Sequence, residues 1–124
     1  MAVFKIDILV LTSAREAQPL VLLEGMCAGT PCVATDVGCC RDMLEDVGFV
    51  TAAARPEETA EAVIKLCKNE RLGEELIKKG REMVRLNYNV DDVIESYRDI
   101  YFKYSQMREA ELLGVYGRDR ISAT

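Results

Sequence analysis

A chain of 124 residues is the size of one ordinary domain. With 49% hydrophobic and 30% charged residues it has the composition of a globular protein that can bury a core. Its 21 acids against 16 bases, a net charge of −5, exclude the basic footprint that nucleic acid or an anionic membrane would demand.

In chain order, "DILVL", Asp7 to Leu11, is a short continuous apolar run and reads as a strand buried on both faces. Thr12 to Gln18 form a polar loop. Pro19 suits the first turn of a helix, Leu20 to Ala28 continue it, and Gly29 stops it. Pro31 to Thr35 read as a second strand, Asp36 to Gly38 as a loop, and Cys39 to Leu44 as a short helix. Gly48 to Thr51 read as a third, edge-like strand. From Pro56 the apolar period becomes helical: Ala60, Val63, Ile64 and Cys67, then Leu72, Leu76, Ile77, Met83 and Val84 on a second helix, with a bend at Gly80. Asn89 is placed to cap a longer helix whose apolar stripe is Val90, Val93, Ile94, Tyr97, Ile100, Tyr101, Tyr104 and Met107. Residues 118–124 read as a frayed end.

Short apolar strands alternating with helices predict parallel βαβ units with right-handed crossovers. The fold class is therefore α/β: a Rossmann-like parallel sheet, incomplete at about three strands, followed by a helical C-terminal segment. Residues 1–88 form the partial Rossmann-like domain. Residues 89–124 form the long helix and tail, packing on that domain or on a partner chain. A full doubly wound sheet has five or six strands, so the reading is of a piece cut from a longer protein or of a chain that pairs with its own copy.

The five cysteines, Cys27, Cys32, Cys39, Cys40 and Cys67, are odd in number, lack a C-x-x-C spacing and have no histidine beside them. This favours a reduced, cytoplasmic chain without a zinc set, and it excludes His-based catalysis. Cys39 and Cys40 read as small fillers or as thiols near a helix N-terminus. The opening "MAVFKIDILVL" is too short in its apolar run for a signal peptide, and no transmembrane segment is expected.

Ligands of open parallel sheets sit beyond the carboxyl ends of the strands. Two loops end there, Ser13 to Pro19 and Thr35 to Cys39, and both lead into helix N-termini, where unpaired N–H groups and the dipole favour anions. The amides of Gln18, Leu20 and Val21 are the candidate donors of the first loop, with Pro19 fixing the turn. Glu16 lies in that loop and Glu24 in the helix. A helix apolar nearly all round is a buried one, and an ionised acid inside it needs a partner or a ligand-filled cleft. Glu24 reads either as an acceptor for a ribose diol, with Glu16 on a sugar ring, or as an acid pointing into solvent.

The run "REAQPLVLLEGMCAGTPCVATDVGCCRDML" resembles the donor-site signature of the retaining glycosyltransferases of family four, which have the GT-B fold. The matching features are two glutamates with seven residues between them, Glu16 and Glu24, then Gly29-Thr30-Pro31, then Thr35-Asp36-Val37-Gly38. Pro56-Glu57-Glu58, Gly80-Arg81 and Tyr88-Asn89 extend the resemblance to about residue 104. The wording is most similar to the exopolysaccharide branch that includes the Pel type. The resemblance implies that Glu24 binds the ribose of a nucleoside diphosphate sugar, a UDP-sugar by expectation. It implies that Glu16 faces the donor sugar near the reacting carbon, as the catalytic residue. Ser13, Gln18, Pro19, Leu20 and Val21 would complete the substrate site, and no metal or other cofactor is implied.

Two departures stand out. The family commonly has Gly after the first glutamate, where this chain has Ala17; a positive φ there would cost about 1 kcal/mol. The family's diphosphate-gripping Arg and Lys lie upstream of the matched region, and Arg15 and Arg41 are not at those positions. Arg41 is read as a solvated side chain or as a phosphate contact near a helix start. The expectation is of a C-terminal piece of a glycosyltransferase that is inactive alone. Its partner would be the N-terminal half, or another copy through dimerisation or domain swapping. The alternative is a catalytically inactive half-domain acting as an oligomerisation or interaction module through its apolar last helix.

Overall fold

The computed structural model describes residues 6–119 of the chain. The elements are β1 (Leu9–Leu11), α1 (Leu20–Ala28), β2 (Cys32–Thr35), α2 (Cys40–Leu44), β3 (Phe49–Thr51), α3 (Pro56–Lys68), α4 (Glu70–Asn87) and α5 (Val90–Asp119). The chain divides between Asn87 and Tyr88 into two compact units.

In the first unit three strands form one parallel sheet in the order β1-β2-β3. Leu9 stands opposite Cys32 and Leu11 opposite Ala34; Val33 stands opposite Phe49 and Thr35 opposite Thr51. Both crossovers step the same way, so right-handedness puts α1 and α2 on one face. Side chains alternate across β2 to match. Gly25 of α1 lies against Leu9 and Cys32. Val33 clusters instead with Ala62 and Leu66 of α3 and Leu76 of α4. Every residue of β2 is buried.

The apolar run of β1 does not make it a doubly buried strand. Leu9 and Leu11 are half-buried and Val10 is 40% exposed. The reason is position: among the described residues β1 is an edge, paired on one side only, by β2. The edge-like reading of β3 agrees with the sheet order.

Helix α1 starts and stops as its proline and glycine dictate. Pro19 is the N-cap at φ −73°, and Gly29 takes the left-handed conformation at φ 80°. The N–H groups of Gly29 and Thr30 then bond the carbonyls of Met26 and Gly25. Helix α4 runs unbroken through Gly80. That glycine is a point of close approach rather than a bend, since a Cβ there would lie 3.2 Å from Met26 Cγ of α1. At the next residue, Arg81 Nη2 donates to Ala28 O at 3.3 Å, at the carboxyl end of α1. The exposed face of α4 carries the ion pairs Arg71–Glu75 and Arg85–Glu82, and Arg85 holds the Glu82 carboxyl below its ordinary range.

Among the described residues the second unit is one helix, α5. Asn89 caps it, its Oδ1 accepting from the Asp91 N–H at 3.1 Å. The helix continues through Arg118 to Asp119, past the expected fraying point, and the rest of 118–124 lies outside the described residues. Among the described residues no helix is long and apolar enough to cross a membrane.

Candidate functional site

The two rim loops at the carboxyl ends of β1 and β2 are tied together. Thr35, the last residue of β2, is 5% exposed. Its hydroxyl donates to Ser13 O at 2.6 Å, with Leu11 O next nearest at 3.5 Å. Three residues on, Gly38 has φ 54°, and a Cβ there would overlap the Glu16 carbonyl. The Cys39 N–H donates to Ala17 O at 2.9 Å. The loop carrying Glu16 is thus seated on the turn that follows β2. The non-glycine residues with positive φ are Asp46 and Ala54, so Ala17 bears none of the backbone strain its replacement of glycine suggested.

Within this seat Ser13 and Glu16 meet. The Ser13 hydroxyl donates to Glu16 Oε1 at 2.6 Å, and both residues are half-buried. Pro19 is buried, Val21 half-buried, and Gln18 and Leu20 are exposed. No side chain caps α1 and no acid sits in its first turn. The positive end of the helix dipole and its first-turn N–H groups therefore stay open to an incoming anion. Leu22 N–H is outside this set, since it bonds Pro19 O at 3.1 Å.

Glu24 departs from the burial argument made for it. Leu22, Gly25 and Met26 form the buried side of α1, while Leu20, Glu24 and Cys27 form an exposed stripe. At spacings of four and three residues these three share one face. Glu24 is exposed, so its charge needs no protein partner. The same stripe leaves Leu20 64% exposed beside it.

Arg41 is held by the acid before Gly38. Its guanidinium donates through Nε to both oxygens of Asp36 at 3.1 Å, and the pair is exposed. That carboxylate raises the Arg41 pKa. This cation, a few residues from the second loop, is thereby neutralised by its own neighbour.

A hollow of about 450 Å³ also opens at the carboxyl edge. Its walls are Thr12 and Thr35 at the strand ends and Arg55, Pro56, Thr59, Val63 and Ile64 from α3 and the residue before it. Neither Glu16 nor Glu24 lines it. All five cysteines are free. Burial pushes the Cys32 thiol up to about 12 and raises that of Cys40, so neither is a nucleophile at neutral pH. Among the described residues no three metal-ligating side chains converge.

Sequence reasoning singled out Ser13 and Glu16 and the loops that carry them. It missed the ties that hold them: the Thr35 hydroxyl and the Gly38 contact. A threonine ending an apolar strand and a glycine two residues after Asp36 were the available signals. Nothing in a linear pattern gives the 22-residue span from Thr35 back to Ser13.

The family description "Glycosyl transferases group 1" matches residues 1–83. The chain is 31% identical over 98 residues to the N-acetyl-alpha-D-glucosaminyl L-malate synthase of Bacillus anthracis, covering 77% of this chain and 26% of that protein. It is 39% identical over 72 residues to the phosphatidyl-myo-inositol mannosyltransferase of Mycobacterium leprae (strain TN), covering 56% of this chain and 19% of that one. In fold it is similar to the sucrose-phosphate synthase of Thermosynechococcus elongatus, with a TM-score of 0.77 and 24% identity over 82% of this chain and 26% of that one. The chain spans about a quarter or less of the length of these curated relatives. The matched residues take in both rim loops, the sheet and α1 to α3, and the chain belongs to the glycosyl transferases group 1.

Proposed function

We propose that this chain is the donor-binding part of a retaining glycosyltransferase of family four that uses a nucleoside diphosphate sugar. The observation that carries the reading is the uncapped, acid-free N-terminus of α1 beside a carboxylate fixed by Ser13. The roles follow from charge. The N–H groups of Leu20 and Val21, with that of Gln18 before them, stabilise negative charge on the diphosphate as the sugar departs, which is the main electrostatic contribution to such a transfer. Glu16 accepts hydrogen bonds from donor-sugar hydroxyls near the reacting carbon. Glu24, exposed on the same helix, receives the ribose hydroxyls. Neither role calls for a metal ion.

The donor is a hexosyl nucleotide, a UDP-sugar by preference. The names of the two curated relatives, one N-acetylglucosaminyl and one mannosyl, fit a hexosyl unit. The acceptor is a saccharide in exopolysaccharide synthesis, and the place of work is the cytoplasm. Arg41 is engaged by Asp36, so the cations that grip the diphosphate come from other polypeptide, an N-terminal half or a second copy. Without them the chain binds donor weakly and does not turn over. Calorimetry with UDP-glucose, UDP-N-acetylglucosamine and GDP-mannose tests the reading. A dissociation constant on the order of millimolar, about −4 kcal/mol, is expected. Absence of any heat with all three at tens of millimolar would overturn it.

A second reading has its own observation. Taken by itself, α5 is a 30-residue helix that leaves Val90, Val93, Ile94, Tyr97, Ile100 and Tyr101 exposed, and among the described residues its unit holds no other element to bury them. Such a face favours association, and an inactive half-domain that oligomerises through it is the alternative function. Sedimentation at tens of micromolar separates the two, because a clean monomer would exclude the oligomerising module.

A further inference from the structure

We infer that Thr35 is a positioning residue for Glu16, acting through Ser13. The inference rests on the donor-site reading above and adds to it a residue that touches no ligand. Two hydrogen bonds run in series. The Thr35 hydroxyl donates to the Ser13 carbonyl at 2.6 Å, and the Ser13 hydroxyl donates to Glu16 Oε1 at 2.6 Å. The first link is shielded from water, with Thr35 only 5% exposed. Thr35 stands on the central strand, flanked by β1 and β3, which is the most constrained backbone at this edge. Ser13 and Glu16 stand on an irregular loop, where backbone freedom is large. The hydroxyl therefore transfers the rigidity of the sheet to the loop at the residue that orients the carboxylate. A carboxylate that must meet sugar hydroxyls has to be held within a fraction of an ångström, and a loop does not do that unaided.

The consequence is selective. Glu16 is assigned to the sugar and the α1 amides to the diphosphate, so loss of the Thr35 hydroxyl removes the sugar's share of the affinity and leaves the nucleotide's share. The experiment is a chemical-shift titration of the whole chain with UDP, UDP-glucose, UDP-N-acetylglucosamine, GDP and GDP-mannose. It is run on the wild type, Thr35→Val, Thr35→Ser and Ser13→Ala. The wild type is expected to bind one nucleotide sugar more tightly than the matching bare nucleotide. Thr35→Val, which keeps the shape and removes the hydroxyl, loses that preference by about fivefold, the worth of one hydrogen bond to a neutral carbonyl. Thr35→Ser restores it. Ser13→Ala, which leaves the sheet untouched, loses it as Thr35→Val does and carries the test if the valine variant fails to fold.

A wild type that binds no nucleotide or nucleotide sugar overturns the donor-site reading and this inference with it. A wild type that shows the sugar preference while Thr35→Val and Ser13→Ala retain it overturns the positioning role alone. So does a variant that loses bare nucleotide and nucleotide sugar equally, since that is general damage and not misplacement of Glu16.

Discussion

Gly38 and Glu16 meet where no side chain fits. A methyl group at residue 38 would overlap the Glu16 carbonyl, and the backbone there has φ 54°. Gly38→Ala is expected to lower stability by about 2 kcal/mol or more, from the left-handed conformation and the clash together, as measured by urea denaturation. Cys32 makes a pH prediction. Its folded thiol is pushed up to about 12 by burial, while an unfolded thiol ionises near ~8.5. Between those values the unfolded chain has released a proton that the folded chain still holds. Stability is therefore complete below about pH 8.5 and falls as pH rises towards 12. Thermal melts of the wild type and Cys32→Ala across that window should diverge, the wild type losing more. At this scale the acids Glu16 and Glu24 stand out in the sequence because two acids with seven residues between them are a local pattern. The enclosure expected for Glu24 was not legible, because a run of apolar letters does not say which stripe of a nine-residue helix faces out. Leu20 and Cys27 share the exposed face with it.

Among the elements, helices and strands were read with the right type and order because proline and glycine punctuate them: Pro19 and Gly29 around α1, Pro56 at the first turn of α3. Burial was less legible. The apolar run of β1 matches that of β2, yet β2 is central and β1 is an edge, a difference set by pairing partners far away in sequence. The contrast is measurable. Val33→Ala on β2, at a position 0% exposed, is expected to cost about 2 kcal/mol, whereas Val10→Thr on β1 should fall within about 0.5 kcal/mol in the same denaturation experiment. Gly80 makes the parallel case for helices. It was read as a bend because glycine weakens a helix, but its lack of a side chain is what lets α4 lie against Met26. Gly80→Leu should lower stability by about 1–3 kcal/mol through overpacking, despite the better helix propensity of leucine.

On the scale of the whole molecule, the family and the fold agree. The chain spans 26% and 19% of its curated relatives, and the three strands among its described residues are fewer than the five or six of a full doubly wound sheet. Association, where it occurs, is assigned to the apolar stripe of α5, so a chain ending at Asn87 should sediment as a monomer under conditions in which the longer one self-associates. The proposed donor site lies in the first unit, and its location is the central claim. The direct measurement is amide chemical-shift mapping of the isotope-labelled chain during titration with a nucleoside diphosphate sugar. The account predicts saturable shifts largest at Gln18, Leu20 and Val21 and at Gly38, reduced by Glu16→Gln and Glu24→Gln. Shifts centred instead on Arg55, Thr59 and Ile64 around the 450 Å³ hollow, or no saturable shifts at all, would contradict it.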